Sequence, residues 1–188
     1  ISTIEDWVEH REPQYVCICC VNNIMSAQDD PAYMELVNNA GLRTPDGMPL
    51  VWLSRRAGHQ HVTRCYGPDL MLALCARSAE TGHRHFFYGG GPGVAGELAE
   101  NLTSKFPGLH IAGIHTPPML ANGQMESQAT IDEINASGAD IVWVGLNSPK
   151  QDWWVANHRP LLDAPVLIAV GAAFDFHSGR VRQAPRWI

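Results

Sequence analysis

The chain has 188 residues, an ordinary soluble composition and a net charge of −6. That is length enough for one domain with a full core, and too acidic a balance for a nucleic-acid groove as the main partner. The longest apolar run, near Val166–Phe174, falls far short of a bilayer span, and the opening Ser2-Thr3-Ile4-Glu5-Asp6 does not read as a signal peptide.

In chain order, Ser2-x-x-Glu5 is expected to act as a capping box opening a first helix toward His10. Tyr15–Val21 reads as a buried strand carrying Cys17, Cys19 and Cys20. With five cysteines, three of them packed into that strand, the expectation is reduced cytoplasmic thiols acting as small apolar residues. Asn22-Asn23 is read as the break after that strand. A helix is predicted over Pro31–Ala40, then a short strand ending at Pro45, the turn Asp46-Gly47 and a helix over Met48–Ala57. Gly67-Pro68-Asp69 opens a helix running through Glu80, with Pro68 suited to its first turn. Strands are expected at His85–Tyr88, Leu109–Ile114, Ile141–Val144 and Val166–Val170, and helices at Val94–Phe106, Gln124–Ala136 and Lys150–His158. Strands alternating with helices of crossover length predict an α/β fold: a Rossmann-like, mostly parallel sheet with helices on both faces, in a single domain over 1–188.

Every polar or Gly-rich segment falls at the carboxyl end of a predicted strand, where open α/β sheets bind ligands. In Val144-Gly145-Leu146-Asn147-Ser148-Pro149-Lys150-Gln151, a strand stops and a helix begins at Pro149, so free N–H groups point back at the strand end. The segment is either an anion site, with Lys150 and Gln151 adding a cation and an amide, or an ordinary βα turn. Tyr88-Gly89-Gly90-Gly91-Pro92-Gly93 repeats the pattern. It is not G-x-G-x-x-G, since Val94 stands at the third glycine, which disfavours a dinucleotide oxidoreductase. Asp175, between Phe174 and Phe176, accepts either from a ligand hydroxyl or from local backbone N–H groups. The pairs His59-x-His61 and His83-x-His85 are read as solvated turn histidines rather than metal ligands. No D-x-D pair is present to hold Mg²⁺ or Mn²⁺.

Taken in order, several segments together resemble the WecG/TagA/CpsF family of bacterial glycosyltransferases. They are Val21-Asn22-Asn23, Pro45-Asp46-Gly47-Met48-Pro49, Arg64-Cys65-Tyr66-Gly67-Pro68-Asp69-Leu70, Gly89–Gly93, Gly145–Gln151, and Gly171–Phe176 through Gly179 to Ala184-Pro185. The resemblance covers almost the whole chain. It implies an inverting, metal-independent transfer of a sugar from a UDP-sugar to a polyprenyl-diphosphate-linked saccharide at the cytoplasmic face of the membrane. No cofactor is expected. Three departures stand out. Cys20 replaces the family's usual Thr, Asp152 replaces the Glu after the matching Gln, and the family's basic, membrane-contacting tail would lie beyond Ile188. The basic residues nearest that end, Arg180, Arg182 and Arg186, are expected to give only weak attachment to a membrane without such a tail.

The roles implied by the resemblance are specific. Asp46 would take the proton from the acceptor hydroxyl; by residue type alone it equally suits the N-cap of the helix from Met48. Asn22 would orient a sugar hydroxyl, or merely end a strand. Arg64, Lys150 and the N–H groups after Gly91 and Pro149 would meet the diphosphate charge. Gln151 would contact donor or acceptor, and Asp175 the ribose or uracil. Gly89, Gly90, Gly91, Gly93, Gly145, Asn147 and Pro149 would complete the nucleotide site. The alternative is a non-catalytic nucleotide-binding subunit of a membrane polysaccharide assembly. Neither the sugar nor the oligomeric state is legible.

Overall fold

The structure, a computed structural model, describes residues 1–118 and 124–183; the Ala184-Pro185 segment and Arg186 lie outside the described residues. Its centre is one six-stranded sheet in the order β2-β1-β6-β5-β3-β4, with all five pairings parallel. The strands are β1 (Gln14–Cys19), β2 (Leu42–Pro45), β3 (Arg84–Gly89), β4 (His110–His115), β5 (Ile141–Gly145) and β6 (Val166–Ala169). The helices are α1 (Ser2–Glu9), α2 (Val21–Asp29), α3 (Pro31–Asn39), α4 (Met48–Arg56), α5 (Gly67–Thr81), α6 (Val94–Lys105), α7 (Gln128–Ala136), α8 (Lys150–His158) and the short α9 (Ala173–His177). This is the expected Rossmann-like α/β architecture.

The two central strands, β5 and β6, are apolar throughout because both sheet faces are covered. On one face, Phe87, Trp143 and Ile168 pack against Leu74 and Leu98 of α5 and α6. On the other, Cys17, Tyr88, Val142 and Leu167 pack against Tyr33 and Trp154 of α3 and α8. Cys17, Cys19 and Cys75 are buried, and all five cysteines are free thiols, as small apolar packing requires. His85 departs from the turn-histidine expectation. It is fully buried in β3, its Nδ1 accepts from Trp143 Nε1 at 2.7 Å, and burial pulls its pKa down to about 3.

The element boundaries differ from the sequence reading where capping decides them. Ser2 is already helical and Ile1 is the cap. Glu5 reaches away to Arg77 at 2.9 Å, so no capping box forms there. β1 stops at Cys19 and α2 begins at Val21, making Asn22 and Asn23 helical. The capping box is here instead: Asn23 Oδ1 accepts from the Cys20 backbone N–H at 2.9 Å and from its thiol at 3.0 Å. α7 begins at Gln128 rather than Gln124, because Ser127 Oγ accepts from Thr130 N–H at 3.2 Å and fixes the start.

The register brings five strand ends to one edge. Cys19 pairs with Pro45, Cys17 and Val144 each with Ala169, and Gly89 with Gly145. The chain leaves β3 outward to β4 and leaves β5 inward to β6. The order therefore reverses between β3 and β5, the position at which parallel sheets open a crevice.

Candidate active site

Among the described residues, two cavities lie along that edge. The first, about 180 Å³, lies over the ends of β1, β2 and β6 and is lined by Cys20, Asn23, Asp46, Tyr66, Gln151 and Phe176 among others. The second, about 520 Å³, lies over β3, β4 and β5 and is lined by Gly90, Gly91, Thr116, Gly145, Lys150 and Asp175 among others. Leu146 and Asn147 line both. The β5–α8 loop is therefore a wall common to both cavities, which lie side by side along this edge.

Asp46 follows β2 directly, and its backbone N–H donates to Cys19 O at 2.8 Å. Its carboxylate faces the Arg64 guanidinium at 3.7 Å, the spacing of an ion pair rather than a hydrogen bond. Arg64 Nε also donates to the Asp46 carbonyl, and its guanidinium lies 4.5 Å from the Tyr66 ring centroid. Burial raises the Asp46 pKa, and Arg64 opposes the rise. The result is an ionisable base held at a cavity wall and made stronger by partial desolvation. Gln151, in the first turn of α8, is buried; its Nε2 donates to Ser148 Oγ at 3.1 Å. Its Oε1 accepts no protein hydrogen bond, so it can take one from a bound hydroxyl or amide.

The second cavity is made by close backbone approach. Gly89 has φ +118° and a Cβ there would meet Gly145 O at 2.6 Å. At Gly145 a Cβ would meet the Phe174 ring at 2.4 Å. Only glycine fits either place. Behind these residues lie the N-termini of α6 and α8, and Lys150 opens α8. The first-turn N–H groups of Gln151 and Asp152 donate to Asn147 O and Pro149 O, and that of Val94 to Gly91 O, so these helices offer chiefly their positive dipole ends, together with the Lys150 cation. That combination suits a bound anion.

Beneath the first cavity lies a buried polar network. Asp152 is fully buried. Its Oδ2 accepts from Asn23 Nδ2 at 2.9 Å and from the Tyr33 hydroxyl at 2.7 Å. Burial pushes its pKa up to about 6 against the hydrogen bonds from Tyr33, Cys17 and Asn23.

Among the sequence-predicted residues, Asp46 and Gln151 come together in the first cavity. Gly90, Gly91, Gly145, Asn147, Lys150 and Asp175 come together in the second. Arg64 stands at the rim beside Asp46. Gly89 and Pro149 act as framework, one inside β3 and the other as the N-cap of α8. Gly93 is the N-cap of α6. Asn22 is not brought in: it is exposed on the first turn of α2 and lines neither cavity. Its neighbour Asn23 holds the position instead. The sequence reading also missed Tyr66, Phe176, Thr116, Pro117 and Pro118. Tyr66 sits beside Arg64 and Gly67 in a segment that carried a signal; the 116–118 stretch carried none beyond its prolines.

The family model of the glycosyl transferase WecG/TagA/CpsF family matches residues 1–188. The chain belongs to this family. It is similar to an N-acetylglucosaminyldiphosphoundecaprenol N-acetyl-β-D-mannosaminyltransferase of Bacillus spizizenii, 32% identical over 160 residues, covering 85% of the chain and 60% of that relative. A protein of the same name from Bacillus subtilis is 26% identical over 196 aligned positions, covering 100% of the chain and 74% of the relative. The chain thus spans about three-fifths of the length of the Bacillus spizizenii protein.

Proposed function

We propose that this chain carries the sugar-transfer site of an inverting, metal-independent glycosyltransferase that uses a UDP-sugar and a polyprenyl-diphosphate-linked saccharide. Family membership and the names of the relatives support the reaction class. Those names also point to N-acetylmannosamine as the sugar moved and to an N-acetylglucosaminyl diphosphoundecaprenol acceptor. The observation that carries the reading is the groove itself, with Asp46 at one end and the paired helix N-termini with Lys150 at the other.

In this mechanism the nucleotide diphosphate occupies the larger cavity, against Lys150 and the positive dipole ends of α6 and α8. The anomeric carbon lies near the shared Leu146–Asn147 wall. Asp46 accepts the proton of the acceptor hydroxyl as its oxygen bonds to the anomeric carbon from the face opposite the diphosphate. The C–O bond to the diphosphate breaks, the configuration inverts, and UDP leaves with the bonding pair. Gln151 holds a hydroxyl or amide of the reacting sugars through its unpaired Oε1. Arg64 holds Asp46 ionised between turnovers.

Among the described residues no helix is long and apolar enough to cross a membrane. We place the domain at the inner face of the cytoplasmic membrane, where a lipid-linked acceptor is reached from the side. The test is turnover: purified protein is offered several UDP-sugars with a short-chain lipid diphosphate acceptor carrying N-acetylglucosamine. Transfer from UDP-N-acetylmannosamine supports the reading in full, and transfer from another UDP-sugar corrects the sugar. UDP binding without transfer from any donor favours a non-catalytic nucleotide-binding subunit.

A further inference from the structure

We infer that α2 and α4 form a surface that seats this domain on an anionic lipid bilayer. They follow the adjacent strands β1 and β2, so both leave the sheet at the edge that carries the groove. Each exposes apolar side chains. On α4, Trp52 is 61% and Leu53 63% exposed, with Met48 exposed one turn before Trp52. On α2, Val21, Ile24 and Met25 are exposed at the i, i+3, i+4 spacing of a single helix face. These six are half of the twelve large apolar side chains exposed among the described residues. Each helix thus presents an apolar face of its own at this edge of the sheet, and faces of that kind mark interaction surfaces rather than ordinary scatter.

Charge selects the occupant. From Gly47 to Pro68 the chain has three arginines, Arg55, Arg56 and Arg64, and no Asp or Glu. The whole chain, by contrast, carries 19 acidic against 13 basic residues. A local excess of cations beside exposed Trp, Leu and Met matches an anionic interface, where Trp lies at headgroup depth and arginines meet lipid phosphates. The acids of the α2 region, Asp29 and Asp30, come at the end of the helix opposite Val21. The excursion is also held firmly at its base. Cys65 N–H donates to Pro45 O at 2.9 Å, Arg64 pairs with Asp46, and Arg55 Nε donates to Val62 O at 3.0 Å. Only Val51 of α4 is buried. The helix is therefore a short platform with its apolar side outward, beginning two residues after Asp46. Arg64, paired with Asp46, and Arg180, bound by Glu97 at 2.7 and 2.8 Å, are not offered to lipid, which leaves Arg55 and Arg56 as the cations beside the apolar face.

The experiment is co-sedimentation of the 188-residue chain with phosphatidylcholine vesicles, with and without phosphatidylglycerol, in the absence of any sugar donor or acceptor. Sugar transfer is thus neither needed nor tested. Binding to the anionic vesicles is expected, weakening as salt rises. The double variant Trp52→Ser, Leu53→Ser should bind at least tenfold more weakly, and Arg56→Glu severalfold more weakly. Met34→Ser, an exposed apolar change on α3, should bind as the parent does. Circular dichroism and the urea midpoint verify that the variants remain folded. Equal binding by parent and double variant, or no binding by the parent, overturns the inference. So does a parent dimer in analytical ultracentrifugation that the Trp52 variant dissolves while vesicle binding persists, since that assigns the surface to a second copy.

Discussion

The side-chain amide of Asn23 donates to Asp152 Oδ2 at 2.9 Å, fastening the first turn of α2 to the first turn of α8. The first cavity lies between these two turns. The same carboxylate oxygen accepts from Tyr33 of α3, so three helices share one buried acceptor. Because Gln151 precedes Asp152 on α8, the network also fixes the Gln151 amide against the groove.

This network should have a pH signature. The Asp152 carboxyl is held at about 6, above its ordinary 3.8, by burial. The folded chain therefore binds this proton more tightly than the unfolded chain. The stability it contributes is whole below about pH 4 and is lost as pH rises through about 6, a span of about 3 kcal/mol. Asp152→Asn keeps an oxygen acceptor but cannot titrate. Urea unfolding across pH 4 to 7.5 should show the variant gaining on the parent by up to that amount. Parallel curves would remove Asp152 as the source.

Lys150→Ala should weaken UDP binding about tenfold or more, the loss of one charge-assisted contact, while leaving the unfolding midpoint nearly unchanged because the side chain is only half-buried. Isothermal titration with UDP measures it. Unaltered affinity would move the diphosphate away from the α8 N-terminus.

Activity should survive EDTA. Among the described residues no group of three or more His, Cys, Asp or Glu comes together to hold a metal ion, and the diphosphate charge has Lys150 and two helix N-termini to meet it. Activity lost in chelator and restored by Mg²⁺ or Mn²⁺ would contradict the metal-free mechanism.

Arg64→Met should move the acid limb of the kcat/KM profile to higher pH. Burial already raises the Asp46 pKa and Arg64 holds it back, so without the guanidinium the base stays protonated to a higher pH. An unmoved limb would separate Arg64 from the titrating base.

Much of this architecture was legible because buried parallel strands are continuous apolar runs, as in Ile141–Val144 and Val166–Val170. The glycines between strand and helix were legible because close backbone approach requires them. The exchange of Asn22 for Asn23 was not. It turns on β1 ending at Cys19 and on a cysteine standing in a capping box, which residue preferences do not announce. Nor was the link between Asn23 and Asp152, 129 residues apart, since it depends on strand order. The acid-free stretch from Gly47 to Pro68 was legible in the sequence; its place beside the groove was not, since that depends on β2 lying next to β1 in the sheet.

The account rests on Asp46 as the base, and the most direct measurement pairs turnover with affinity in Asp46→Asn. A positioned general base contributes about 10²–10⁴-fold. The asparagine keeps the shape of the side chain and removes only its capacity to accept the proton. Initial rates with UDP-N-acetylmannosamine and lipid diphosphate acceptor should therefore fall by at least about 10²-fold, with UDP affinity by calorimetry within about twofold of the parent. Near-normal turnover in a variant that binds UDP normally would contradict the account and leave Asp46 as no more than a wall of the cavity.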